Sequence, residues 1–172
     1  MFKKTPKVNN RAAKISAIIT LAAGALIFII ANGGIPMPWI AQTLGVALIA
    51  YSVYVAVVYL LREHTFIVAE NEHDEEYESY LFKINERKGK REMTVVRVRL
   101  DEIRFVRTVD KQNKKAVAVE RKNKKRFTYD AQFMPQKRLE FDILCEGESI
   151  SVLTTYDEEL IAFLKSYGVV VK

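Results

Sequence analysis

Residues 15–61 contain no Asp, Glu, Lys, Arg or His, an uncharged run of 47 positions in a chain of 172. Soluble domains break such runs with polar turns. A bilayer instead excludes charge and requires helices that satisfy their own backbone hydrogen bonds. The run is interrupted once, at NGGIPMP (32–38), where two glycines and two prolines stop a helix. It divides into ISAIITLAAGALIFIIA (15–31) and WIAQTLGVALIAYSVYVAVVYLL (39–61), close to or above the roughly 20 residues that cross a bilayer. The short turn between them predicts a transmembrane helical hairpin, with Trp39 and Tyr59 as interfacial anchors. Ser16, Thr20 and Gly24 recur every fourth residue and predict a small-residue face for close helix contact.

The flanks set an orientation. Lys3, Lys4, Lys7, Arg11 and Lys14 precede the first span, the turn has no basic residue, and Arg62 follows the second span. By the positive-inside bias, both termini are expected to be cytoplasmic, in a multi-pass protein of the cell (cytoplasmic) membrane. A cleaved signal peptide shares the basic start, the apolar run and a small residue at Ala31. The second span would then leave the charged remainder on the side its flanks disfavour. The tail (1–14) also accounts for five of the six units of net positive charge, leaving 62–172 nearly neutral at +1. This weakens a nucleic-acid reading, which needs a basic face rather than a basic tail.

Residues 62–172 change pattern. Short β-rich runs follow one another: HTFIVAENE (64–72), YESYLFKI (77–84), MTVVRVRL (93–100), IRFVRTV (103–109), AVAVER (116–121), RFTYDAQ (126–132), LEFDILC (139–145) and SISVLTT (149–155). Turn residues around Gly89, Pro135 and Gly147 separate several of them. Seven or eight strands at this spacing predict an antiparallel barrel or sandwich. In VVRVRLDEIRFVRTV (95–109), period two puts Arg97, Arg99 and Arg104 on a wet face, while Arg107 falls on the Phe105 side and implies a bulge or a solvent end. The period then becomes helical in TYDEELIAFLKSYG, with Thr155 and Glu158 spaced as a capping box and Gly168 placed as terminator.

Two spans, a basic start, about seven strands and one C-terminal helix resemble the membrane-anchored bacterial PH-like domain proteins. The corner VRLDEIRFV, with Leu100, Ile103 and Val106 as apolar points, and the terminal DEELIAFLKSYG carry the likeness. It implies a PH-like β-domain over 62–172 and membrane residence, and it brings no catalytic residues.

The residues themselves point to no enzyme. His64 and His73 have no Cys or His partner at metal-ligand spacing. ENEHDEEYE (70–78) holds six carboxylates without the glycine-centred spacing of a calcium loop, and reads as a solvated turn. No phosphate-binding glycine loop or nucleophile motif occurs, so neither cofactor nor metal is expected. Cys145, in register with Leu139, Phe141 and Ile143, is read as a core thiol.

What remains is charge distribution. Residues 62–86 carry −6, 87–126 carry +11 and 127–172 carry −4. The positive section clusters in turns at Arg87, Lys88, Lys90, Arg91, Lys114, Lys115, Arg121, Lys122, Lys124, Lys125 and Arg126, the candidate lipid- or partner-binding residues. Charged turns also serve simply to protect sheet edges. The expectation is a non-enzymatic binding or scaffolding module meeting anionic lipid head groups, a membrane protein or a second copy, and no nucleic acid. The alternative is an accessory subunit of a transport or secretion complex.

Overall fold

The computed structural model describes the whole chain except Ile35, residues 71–79, Asn123 and Glu146. It divides into two compact units, Asn9–Arg62 and a second made of Met1–Val8 with Glu63–Lys172.

The first unit is a helical pair, α1 (Arg11–Ala31) and α2 (Pro38–Val55), the latter continued by a π turn over Ala56–Leu60. Both helices are long and apolar enough to span a membrane. Pro38 opens α2, where its fixed φ suits a first helical residue and its missing N–H is no loss. The preceding turn relies on Gly34 (φ 89°) and a left-handed Met37 (φ 56°). Packing follows a seven-residue interval: Ala17, Gly24 and Ala31 are buried on α1, and Gly45 and Ser52 on α2. A Cβ on Gly24 would lie 2.8 Å from the Gly45 carbonyl oxygen and 2.9 Å from Ile49 Cγ1, so the two backbones touch where both side chains are absent. The Ser52 hydroxyl donates across the pair to the Ala17 carbonyl at 2.7 Å. Of the residues in the predicted small-residue face, Gly24 is buried, while Ser16 and Thr20 are half-buried. Thr20 bonds its own helix at the Ser16 carbonyl, 2.8 Å away, because a threonine hydroxyl in apolar surroundings is easily satisfied by the preceding turn.

The second unit has two four-stranded sheets, ordered β1-β2-β3-β4 and β5-β7-β8-β6. The first contains β1 (Phe2–Lys4), β2 (Arg62–Glu70), β3 (Tyr80–Lys88) and β4 (Arg91–Arg99). β1 lies within the residues expected as a basic tail, and pairs antiparallel with β2 through Phe2 opposite Val68 and Lys4 opposite Phe66. Three residues carry no readable alternation, which is why this strand is invisible to pattern. The Phe2 and Phe163 rings pack at 4.7 Å, tilted by 30°, and Lys4 Nζ bridges Asp157 (3.0 Å) and Glu159 (2.8 Å).

A single 3₁₀ turn, Leu100–Glu102, leads to the second sheet: β5 (Ile103–Val109), β6 (Lys125–Tyr129), β7 (Arg138–Cys145) and β8 (Glu148–Thr155). The sheets are open, not one closed barrel, and β6 runs parallel to β8, because β8 inserts between β6 and β7. The expected bulge is present in β5: Ile103 faces Ile143 but Phe105 already faces Asp142, with Arg104 extra. AVAVER, expected as a strand, belongs instead to α3 (Lys114–Glu120). Its alternating Ala and Val suit either period, and tertiary context decides. Asp110 Oδ1 accepts from the Gln112 and Asn113 amides at 2.9 and 3.0 Å to start the turn, while Val117 and Arg121, four residues apart, are both buried.

Apolar side chains from both sheets meet in one core, where Phe82 of β3 stacks on Phe141 of β7 at 4.8 Å. Each such ring contributes about 1.5–3 kcal/mol through area removed from water. α4 (Glu158–Ser166) adds Leu160 and Leu164 to this core. Its N-cap is Asp157, accepting from the Leu160 amide at 2.9 Å, rather than the expected Thr155–Glu158 box. Thr155 still belongs to β8, and its hydroxyl donates to Asp130 Oδ1 at 3.0 Å. Gly168 (φ 80°) ends α4 as expected, with Gly168 N–H on the Lys165 carbonyl and Val169 N–H on that of Leu164. The following residues cover the outer edge of β5, through Val106 N–H to the Val170 carbonyl and Lys172 N–H to the Val106 carbonyl.

Candidate functional site

The eleven basic candidates fall into two sets, one on each sheet. Arg87, Lys88, Lys90 and Arg91 bracket the β3–β4 turn, where Lys88 lies opposite Arg91 and Gly89 supplies a left-handed residue (φ 59°). All four are exposed. Arg87 Nη2 pairs with Glu63, and Tyr80 lies by Glu70 at the other end of the same two strands. The turn is therefore at the end of the sheet where β2 begins, and Glu63 comes three residues after the π turn that finishes the second apolar helix. Lys88 Nζ is 3.0 Å from Glu86. Lys90 and Arg91 project from the tip.

The second set surrounds α3 and opens β6. Lys114, Lys115, Lys122 and Arg126 are exposed, and the exposed Lys125 pairs with Glu148 at 2.5 Å. Arg121 is buried and Lys124 half-buried, each paired with a buried carboxylate. On β7, Glu140 and Asp142 share a face turned away from the apolar core, and both are buried (2% and 1% exposed). A buried carboxylate requires cations and donors, or it does not stay ionised. Glu140 accepts from Arg121 Nε (2.5 Å) and Nη2 (2.9 Å), Arg107 Nε (2.6 Å) and Ser151 Oγ (2.6 Å). Burial raises its pKa, but the bonds from Arg121, Arg107 and Ser151 outweigh this and hold it below the ordinary carboxylate range. Arg107 also pairs with Glu120 of α3, so the fourth arginine of 95–109 is internal, whereas Arg97, Arg99 and Arg104 are exposed as expected. Asp142 takes Lys124 and, from Ser149 Oγ, a bond of 3.2 Å. The guanidinium of Arg121, the residue after α3, and the ammonium of Lys124, just before β6, lie on these two carboxylates.

The remaining chemistry-bearing residues do not assemble. His64 is buried, edge-on to Tyr129 at 6.2 Å. His73 and all but the first residue of the acidic run 70–78 lie outside the described residues. Among the described residues no group of three or more His, Cys, Asp or Glu is placed to hold a metal ion. Cys145 is half-buried at the end of β7, packed against the edge of the core and not in a disulfide.

Comparison with protein-family models, with curated proteins and with solved structures found no match.

Proposed function

We propose that this chain is a non-enzymatic binding module of the bacterial cell membrane, anchored by its helical pair and carrying a PH-like cytosolic domain whose β3–β4 turn meets anionic lipid head groups. The observation that carries this reading is the Arg87–Glu63 pair. It brings a four-cation turn beside the residues that leave the second apolar helix. If that helix crosses the bilayer, the turn is held close to the leaflet. Each basic residue reaching an anionic surface contributes about 1 kcal/mol, with a range of about 8–10 Å at physiological salt. Two further observations support the reading. β1 and β2 share a sheet although the helical pair separates them, as two crossings require. Seven strands after the pair, followed by a helix that fills the core, match the element order of the PH-like resemblance.

The small residue that would discriminate the accessory-subunit alternative, Gly24, packs against Gly45 and Ile49 within the hairpin itself. The test uses the full chain in nanodiscs, with Cys145→Ser and an environment-sensitive label at Lys90→Cys. The label should become buried in discs with about a third anionic lipid, less so at high salt or with Arg91→Glu. Equal label spectra in neutral and anionic discs would refute the reading.

A further inference from the structure

We propose that the free edge of β6 is a docking strand for an extended, acidic segment of a partner protein. Of the two edges of its sheet, the β5 edge is already covered: residues 170–172 lie along Val106 and exchange two backbone hydrogen bonds with it, 2.8 and 2.9 Å long. β6, at the other edge, pairs only with β8 among the described residues. An unpaired edge presents backbone N–H and C=O groups to any strand that matches it. β6 is also straight. Its five pairs with β8 run without a register shift, whereas β3–β4 and β5–β7 both contain bulges, which bend and blunt an edge.

The side chains define the occupant. Lys125, Arg126, Phe127 and Thr128 are all exposed, Phe127 at 45%, and Lys122 stands just before them. A second copy of β6 offers no carboxylate: in parallel register it sets Lys125 and Arg126 against their own like, which is destabilising, and in antiparallel register centred on Phe127 it sets Arg126 against Thr128. An alternating acidic strand instead places a carboxylate opposite Arg126 and an apolar residue on Phe127, which lies on the other face, so charge selects a heterologous partner. This surface is distinct from the β3–β4 turn, and it stands or falls independently of the lipid reading.

The test uses the full chain in neutral-lipid nanodiscs and a fluorescent nine-residue peptide alternating Glu and Val. Binding should be measurable by anisotropy and accompanied by slower amide exchange at residues 125–129. Lys122→Glu with Arg126→Glu should weaken it by about tenfold or more, and Arg126→Lys should retain it. A peptide N-methylated at alternate residues should bind only when its methyl groups point away from β6. The proposal is overturned if a Lys–Val peptide binds as well, if both N-methylated registers bind equally, or if no exchange protection appears on 125–129. It is also overturned if the Lys122/Arg126 variant loses only affinity for anionic discs, since the surface would then be a lipid contact.

Discussion

Glu140→Ala is the most informative single change in the β unit. The side chain it removes is 2% exposed and accepts four hydrogen bonds from two guanidinium groups and a hydroxyl. Arg107 keeps Glu120 after the change, but Arg121, itself 7% exposed, loses both its bonds to Glu140. Breaking a buried pair from one side costs about 3–5 kcal/mol, because the surviving charge stays desolvated. A domain of this size has about 5–15 kcal/mol in total. Denaturant titration of the full chain in detergent, followed by circular dichroism at the strand band, should show that loss in the midpoint. Trp39, the sole tryptophan, lies in the helical unit and does not report on the sheets. The double variant Glu140→Leu with Arg121→Met should recover most of the loss, since an apolar pair of similar volume replaces a buried ion pair at little or no cost. The pH dependence follows in sign. Because the folded pKa of Glu140 is depressed, its contribution is complete above the ordinary carboxylate range and is lost as pH falls through the folded pKa. The Ala variant should therefore lose less stability than the wild type on acidification below about pH 4. A Glu140→Ala midpoint within about 0.5 kcal/mol of wild type, or a double variant no better than the single, would refute the reasoning.

Three other outcomes are expected. Gly168→Ala forces a Cβ into a left-handed position (φ 80°) and should cost about 1–2 kcal/mol by thermal denaturation, while an exposed control such as Lys165→Ala should cost little. Phe2→Ala removes the ring packed at 4.7 Å against Phe163; the half-buried site predicts about 1–2 kcal/mol, below the range for a fully buried phenylalanine, and faster amide exchange at residues 66–68. Gly24→Leu cannot be seated against Gly45 and Ile49, so disulfide trapping between Ala17→Cys and Ser52→Cys in a Cys145→Ser background should fall. Normal trapping in Gly24→Leu would refute the seam.

The helical pair and most strands were legible because each rests on a strong local pattern: an uncharged run for the helices, period-two alternation for the strands. IRFVRTV coincides with β5 residue for residue, and LEFDILC with all but the first residue of β7. The failures occur where local pattern is ambiguous and a distant partner decides. KKAVAVE has no intrinsic preference strong enough to resist the helix that leads into Arg121, and FKK is too short to show one. The candidate surface was legible only as a count of charges. Arg121 and Lys124 are indistinguishable in sequence from Lys122 and Arg126, and only the burial of Glu140 and Asp142 turns the first two inward. Glycine is the reverse case: Gly24 is legible as a small residue at a helix contact, but the buried positions of α1 are Ala13, Ala17, Gly24 and Ala31, with intervals of four and seven that a strict four-residue spacing does not show.

The position of β1 ties these observations together. It pairs with β2 across residues 5–61, and closing a flexible loop of that length is entropically costly. An antiparallel helical pair returns the chain to its starting point, so once it has formed the effective loop is only the handful of residues outside the helices. Going from some seven residues to about 57 is three doublings, worth about 2 kcal/mol. That is comparable to what a three-residue edge strand gains from its ladder, one packed ring and two partly exposed ion pairs. Pairing of β1 is therefore conditional on the Gly24–Gly45 seam, and Gly24→Leu should accelerate amide exchange at 2–4 and 66–68 while leaving the β7–β8 ladder unchanged.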